Sequence, residues 1–509
     1  MKLKPKERDS ERIIVLALLV LTLWVRLSTQ MMIHTGVDER DYWYAAKALS
    51  QGFAYPDLTH RTVRWAIILP VAALQKIFGV HPNVYYIAPI LNALAQTVLL
   101  YALGKRLRGR FVGILSAIFL IFFPYQIRAA SQVRPEIFSI TYMLLCAYFL
   151  ILALHGEGRK RMLLIVASSL TLFLAYETKI TNLFFLPGIF LAMLLYGGKT
   201  KVRDCFSFGL PLLGLFLVET ALYATLTEFR FGQLSVISAN HLSSDYADPL
   251  KSYWEVFLRY SPEYLQPYWQ LPIALFVAAG IYYLAKGKNR ELKTLTIMGF
   301  SFIFFITFTV TKLHPIMVAE DFINRYFCAL LPFVFLVISW AVQDIAEHSM
   351  PSIRGWKASD MTMPVVLASV GLCVALSAVF TFPIVPSSAR QYAHSPFRPS
   401  EHPFIQTANY YRELNDAWDS GTPILSAEGL AGENAAQTVC RFFLSQDTYS
   451  ASGAPSPIIV TLEGTSVHLI SKDGLLHGTT FIQAVRSPFR IFRIPLSRVS
   501  EIDPERSIQ

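Results

Sequence analysis

Apolar residues arrive along this chain in long blocks separated by short polar connections. The blocks run approximately over residues 13–32, 83–103, 111–126, 135–155, 162–174, 180–197, 205–227, 270–285, 294–311, 326–344 and 362–385. An α-helix needs about 20 apolar residues to cross about 30 Å of hydrocarbon, so the pattern predicts about eleven transmembrane helices. Beyond residue 385 the pattern changes. An amphipathic helix is predicted near Pro403–Leu414, an apolar strand at Pro423–Ser426, a second helix near Asn434–Leu444, and strands near Pro457–Leu462 and Phe489–Ile494. Such a mixture predicts a small soluble α/β domain. The expected fold class is therefore a membrane all-α bundle with interfacial helices over residues 1–385, followed by an α/β domain over 386–509.

One apolar segment, Trp65 to Gly79, is too short to cross and carries Pro70 and Lys76. Were it a span, the basic loops at Lys105–Arg110, Arg159–Arg161, Lys199–Arg203 and Lys286–Lys293 would all face outward, against the cytoplasmic excess of Lys and Arg. Laid along the outer face as an interfacial helix, it leaves those loops inside. The first block follows Lys2, Lys4, Lys6, Arg8 and Arg12 and lacks a small-residue cleavage site, as in a retained signal anchor with a cytoplasmic N-terminus. This threading puts residues 33–64, 228–269 and 312–325 and the C-terminal domain on the extracytoplasmic side.

Composition makes lipid the expected solvent, with 53% hydrophobic and 16% charged residues, against about 25% charged in soluble proteins. The net charge of +10 would suit an anionic partner, but the segment from Ser387 onward holds 10 Lys/Arg against 12 Asp/Glu. The excess belongs to the membrane part, where it orients helices, and a nucleic-acid role finds no support. Of five cysteines, Cys146, Cys205, Cys328 and Cys373 fall in or beside apolar blocks, leaving Cys440 alone in the tail, so no disulfide framework forms there. No Asn-x-Ser/Thr sequon occurs, and the chain reads as a protein of a prokaryotic cytoplasmic membrane.

Charged residues gather at the outward ends of the blocks. HTGVDERDYWYAAKAL after the first block puts Asp38 and Glu39 at a helix start that continues through Tyr42. Acids there also complement the helix dipole, which asks for no special pair. YQIRAASQVRPEIFS places Arg128 and Arg134 before Pro135, with Glu136 just inside the boundary, where a carboxylate is costly unless a wet cavity or a cation meets it. Arg134 or Arg26 is the expected cation. AYETKITNLFFLP places Glu177 and Lys179 between two short blocks, although a lysine at that depth also snorkels by default. TKLHPIMVAEDFINRYFCALLPF adds Lys312, His314, Glu320, Asp321 and Arg325. Carboxylates and cations from four crossings at one face fit a shared cavity, in which a carboxylate takes a proton from an acceptor hydroxyl and cations stabilise a phosphate leaving group.

This arrangement resembles the GT-C superfamily of integral-membrane glycosyltransferases, especially the branch of protein O-mannosyltransferase-like enzymes and lipid A aminoarabinose transferases. Asp38-Glu39 followed by Tyr42 and Ala46 resembles the family's acidic pair after the first helix. Arg134–Glu136 is similar to its second acidic site, Lys179 to its loop lysine, and NRYFCALLPF to its Arg-Tyr element ahead of a proline. The layout is similar over most of residues 13–345, and the tail looks like the external domain of many members. The Trp-Trp-Asp signature of oligosaccharyltransferases is absent, and His314-Pro315 departs from the mannosyltransferase His-Lys-Glu element.

The resemblance implies inverting transfer of a sugar from a polyprenyl-phosphate donor to a protein, lipid or glycan acceptor at the extracytoplasmic face. Asp38 would be the general base, and Glu39 would orient the acceptor or a cation. Arg325, Lys179, Arg134 and His314 would meet the phosphate, with Glu136 and Tyr42 completing the substrate site. Apart from the lipid-linked donor no cofactor is called for, and no cluster with metal-ligand spacing occurs. The rival reading is a transporter or lipid flippase, since charged groups at span ends also mark transport paths. Against it, the chain has no internal duplication and its polar groups lie at one face rather than near the midplane. A scaffold with a partner-binding tail leaves the outward acids unexplained. Glu219, inside the block GLFLVETAL, is expected to face the bundle interior, and the loop 228–269 to cover the cavity as a lid or a fixed cap.

Overall fold

The computed structural model describes residues 5–28, 37–52, 59–80, 82–227, 231–242, 253–261, 265, 267–313, 316–318 and 324–349, and in the tail 424–426, 458–463, 466–471 and 474–475. Helices dominate the described residues from Pro5 to Ser349. They run in the order α1 (Pro5–Ser28), α2 (Val37–Ser50), α3 (Trp65–Phe78), α4 (Pro82–Arg108), α5 (Arg110–Phe122), α6 (Pro124–Ala129) and α7 (Pro135–His155). Then come α8 (Gly158–Thr178), α9 (Leu186–Tyr196), α10 (Lys201–Leu226), α11 (Gln233–Leu242), α12 (Pro267–Lys286), α13 (Arg290–Phe308) and α14 (Leu331–Ser349). Among the described residues, 7 helical stretches are long and apolar enough to cross a membrane: Val84–Arg108, Pro135–His155, Gly158–Thr178, Gly198–Leu226, Tyr268–Lys286, Arg290–Phe308 and Arg325–Glu347. The chain is an integral membrane protein on that ground. Its outward faces agree: Leu210, Leu213, Leu217, Val218 and Leu222 of α10 are each more than half exposed, a surface that lipid accepts and water does not.

The helix boundaries depart from the apolar blocks for local reasons. The expected span 111–126 divides, because Phe123 is extended ahead of Pro124, a residue that disfavours helix before it. The expected block 162–174 is longer, running from Gly158 through the basic first turn to Thr178, since long basic side chains reach out of the apolar layer. The block 180–197 is not one helix. Lys179 is extended, a 3-10 helix covers Ile180–Phe185, and α9 follows. Asn182 fixes the break by donating to the Ala175 carbonyl at 2.7 Å and to Ser139 Oγ at 2.9 Å. α3 is 14 residues long, too short at about 1.5 Å per residue to cross, and it buries Ala66, Ile67, Ile68, Val71 and Ala72.

Packing is tight where small residues permit it. A Cβ on Gly104 would lie 2.7 Å from Gly113 Cα, so α4 and α5 touch backbone to backbone. Rings of Phe185, Phe302 and Phe333 stack at 4.6 and 5.0 Å and join the 3-10 helix before α9 to α13 and α14. Short strands β1 (Val310–Leu313) and β2 (Ile316–Val318) pair antiparallel. In the tail, β3 (Ile424–Ser426) pairs parallel with β4 (Ile458–Glu463), which pairs antiparallel with β5 (Ser466–Ser471), and β5 pairs with β6 (Gly474–Leu475). β3 and β4 coincide with two expected strands. The expected block 362–385, the tail helices at 403–414 and 434–444 and the strand at 489–494 lie outside the described residues.

Candidate active site

The site starts at the first turn of α2, where Asp38 and Glu39 meet the positive end of the helix dipole. Asp41 follows on the same face, one turn along. The turn before α3 brings Arg61 against that face. Arg61 Nε donates to Asp38 Oδ1 at 2.5 Å and its Nη1 to Asp41 Oδ2 at 3.1 Å. The turn is held by its own polar groups: the Thr59 N–H donates to Thr62 Oγ1 at 2.8 Å, and Arg64 Nε donates to the His60 carbonyl at 3.0 Å. Asp38 Oδ2 accepts from Arg325 Nη1 at 3.0 Å. Burial alone would push Asp38 up, but the charges of Arg325 and Arg61 outweigh it and hold the carboxyl well below the usual carboxylate range.

Three further elements close on the same point. Pro135 opens α7, as proline prefers, and leaves Arg134 extended ahead of it, from where its guanidinium pairs with the fully buried Glu39. Glu136 is 2% exposed in the first turn. Its Oε1 lies 3.6 Å from Lys179 Nζ and 4.0 Å from Arg325 Nε. Lys179 reaches it because the chain breaks there between α8 and the 3-10 helix, and its ammonium stands 3.4 Å over the Tyr326 ring. Arg325 and Tyr326 come from the 3-10 helix Asn324–Leu330 that leads into α14. Tyr42 is buried beneath, with the Arg64 guanidinium 5.8 Å from its ring centre. Burial raises the Tyr42 phenol well above the ordinary tyrosine range.

The structure thus brings together Asp38, Glu39, Tyr42, Arg134, Glu136, Lys179 and Arg325, seven of the residues singled out in the sequence. His314 lies outside the described residues. The expected partner of Glu136 was Arg134 or Arg26. Instead Lys179 and Arg325 are nearest to Glu136, Arg134 turns to Glu39, and Arg26 is buried in α1 with no ion pair among the described residues. Lys179 does not snorkel: it is 9% exposed. Arg61, Arg64 and Asp41 escaped the sequence reading, whereas Tyr326 belongs to the Arg-Tyr element noted there. A signal existed for Asp41, which stands one helical turn from Asp38. The segment THRTVR around Arg61 reads as an ordinary polar turn.

The charges nearly cancel. Arg61, Arg134, Lys179 and Arg325 face Asp38, Glu39, Asp41 and Glu136. Arg64 forms no ion pair among the described residues, although it shares the surroundings of Tyr42 with Asp38, Glu136 and Arg325. The cluster therefore carries about one spare positive charge, suited to an anionic ligand.

A second, separate group involves Glu219, which the sequence left without a role. Its Oε1 accepts the Gln233 N–H at 2.8 Å, and Gln233 Nε2 donates to the Tyr176 carbonyl at 3.3 Å. The chain after α10 is thereby folded back on α8 and α10. Glu177, 4% exposed, meets the Trp65 backbone N–H at the start of α3, and Trp65 Nε1 donates to Tyr223 Oη at 3.0 Å.

Residues 65–223 match the family described as dolichyl-phosphate-mannose-protein mannosyltransferase. ArnT from Cupriavidus metallidurans, bound to undecaprenyl phosphate, superposes with a TM-score of 0.54 at 12% identity, covering 89% of this chain and 93% of that one. Its apo form gives 0.52 with the same coverage. The apo oligosaccharyltransferase of Archaeoglobus fulgidus gives 0.51 at 12% identity, covering 87% of this chain and 64% of that one. Among curated proteins none matches the chain in sequence. At such identities the likeness is one of fold. The fold is GT-C-like, in agreement with the order of motifs along the sequence.

Proposed function

We propose that this chain is a glycosyltransferase that moves a sugar from a polyprenyl-phosphate donor to an acceptor hydroxyl, with inversion and with Asp38 as general base. The observation that carries the reading is the placement of Asp38 between Arg61 and Arg325, within one cluster that also holds Glu136 and Lys179. A base must be ionised before it can take a proton, and two guanidiniums keep Asp38 so at neutral pH. The leaving phosphate needs cations already in place, and Arg325, Lys179 and Arg64 supply them among partly or fully buried groups. Glu39 acts through Arg134, holding the guanidinium at the mouth of α7. Lipid-linked phosphate as the donor gains support from the family match over residues 65–223 and from undecaprenyl phosphate bound to the structurally similar ArnT.

We place the site on the extracytoplasmic side, with the N-terminus inside, because that orientation keeps the basic loops in the cytoplasm. The acceptor is a protein, a lipid or a growing glycan. Fixed cations meet the phosphate in this scheme, so the reaction calls for no cofactor beyond the donor. Asp38→Asn should abolish transfer from a radiolabelled polyprenyl-phosphate sugar while the protein stays monodisperse. Undiminished turnover in that variant would remove Asp38 as the base.

A further inference from the structure

The two oxygens of Asp38 are held by different hands. Oδ1 is gripped by Arg61, which is itself tied to Asp41 and so is anchored twice. Oδ2 is held by Arg325, whose attachments are looser: Nη1 bonds Asp38 at 3.0 Å, while Nε stands 4.0 Å from Glu136. That Nε is buried without a hydrogen-bond partner, a costly condition unless an acceptor arrives. Arg325 can leave Asp38 while Arg61, tied also to Asp41, still holds it.

Glycosyl transfer moves negative charge in the same direction. The donor is a phosphodiester with one negative charge, and Asp38 carries another. As the acceptor oxygen bonds to the anomeric carbon, its proton passes to Asp38 Oδ2, and the bond from the anomeric carbon to the phosphate oxygen breaks with its electron pair left on oxygen. The products are a neutral Asp38 and a monoester phosphate with up to two negative charges. The total is unchanged, but one charge has migrated from Asp38 to the phosphate. In the reading above Arg64 and Lys179 also face the phosphate, but Lys179 is shared with Glu136, so the added charge calls on Arg325 as well.

Building on the glycosyl-transfer reading above, we propose that Arg325 follows this migrating charge, pairing with Asp38 in the resting site and passing to the departing phosphate as Asp38 is protonated. Arg61 keeps Asp38 in position throughout. It follows that the phosphate product and ionised Asp38 compete for one guanidinium, so regeneration of the Asp38–Arg325 pair drives product release.

Binding of undecaprenyl phosphate to the purified full-length protein tests this without knowledge of the sugar or acceptor. Asp38→Asn removes the competitor and should tighten binding about tenfold, near the low end of close charge-pair couplings. Asp38→Ser, which also removes the charge, should do the same and guards against a folding defect peculiar to one variant. Asp41→Asn removes an equal charge from Arg61 and should tighten binding far less. In an Arg325→Gln background the gain from Asp38→Asn should vanish. Equal tightening by the Asp38 and Asp41 variants, or a gain that persists without Arg325, overturns the proposal while leaving lipid-phosphate binding intact. If wild type and variants alike ignore undecaprenyl phosphate, the donor assignment fails and the proposal falls with it.

Discussion

Glu39, fully buried, pairs with Arg134, and removing one partner strands the other. Glu39→Gln should therefore cost about 3–5 kcal/mol, read as a large fall in melting temperature that Asp41→Asn does not share. Asp38 gives a pH signature of definite sign. Its folded carboxyl lies below its unfolded value, so its contribution to stability is present above about pH 4 and is lost as pH falls through the folded value. Acid melts should show Asp38→Asn losing less stability than wild type below pH 4. The acidic pair and Glu136 were legible in the sequence because ionised groups at the edge of a bilayer are expensive, so each asks for a reason. Their partners were not legible. Arg61 lies 23 residues from Asp38, and Arg325 lies 287 from it. Pairings at such separations are products of helix packing, which no local pattern encodes. Arg26 illustrates the converse: it has the right charge at the right depth, yet it sits on a helix that packs elsewhere.

Elements meet in this fold through a few positions that tolerate no side chain. Gly232 has a φ of +60°, and a Cβ there would come 2.5 Å from Glu219 Oε1. Gly232→Ala should cost about 1–2 kcal/mol for the left-handed backbone alone, and more through the clash. Limited proteolysis should then cut within α11 faster than in wild type. Gly104→Val would force α4 from α5 and should cost about 1–3 kcal/mol as overpacking, visible as a lower melting temperature with the binding of undecaprenyl phosphate kept. The apolar blocks located most of these helices, since burial in lipid depends on composition alone. They missed the break at Lys179 and the division at Phe123, because hydropathy is blind to backbone direction. Pro124 was the available sign for the second. For the first, the Thr178, Asn182 and Ser139 hydroxyl and amide groups that satisfy the broken turn are scattered over 44 positions.

For the whole molecule, the testable claim is which face of the membrane carries the cluster. Gln51 at the end of α2 and Lys199 before α10 are both exposed and lie at opposite ends of the proposed threading. Gln51→Cys should react with a membrane-impermeant maleimide added outside sealed cells, and Lys199→Cys should react once the membrane is opened. The reverse pattern would invert the topology. The GT-C-like architecture was legible in the sequence because the bilayer imposes the pattern of apolar blocks and outward charges, whereas identity to the superposed ArnT is only 12%. The donor sugar leaves no such trace.

Glu177 stands at the seam between α8 and α3. It meets the first backbone N–H of α3, directly after the arginine turn, and it sits two residues before Lys179. The distance between the anchor of the base and the cation that faces Glu136 is therefore gauged by a few covalent links and one seam, like the fixed jaw of a caliper. Substrates of different size would have to be accommodated from the opposite jaw, the 3-10 helix that bears Arg325.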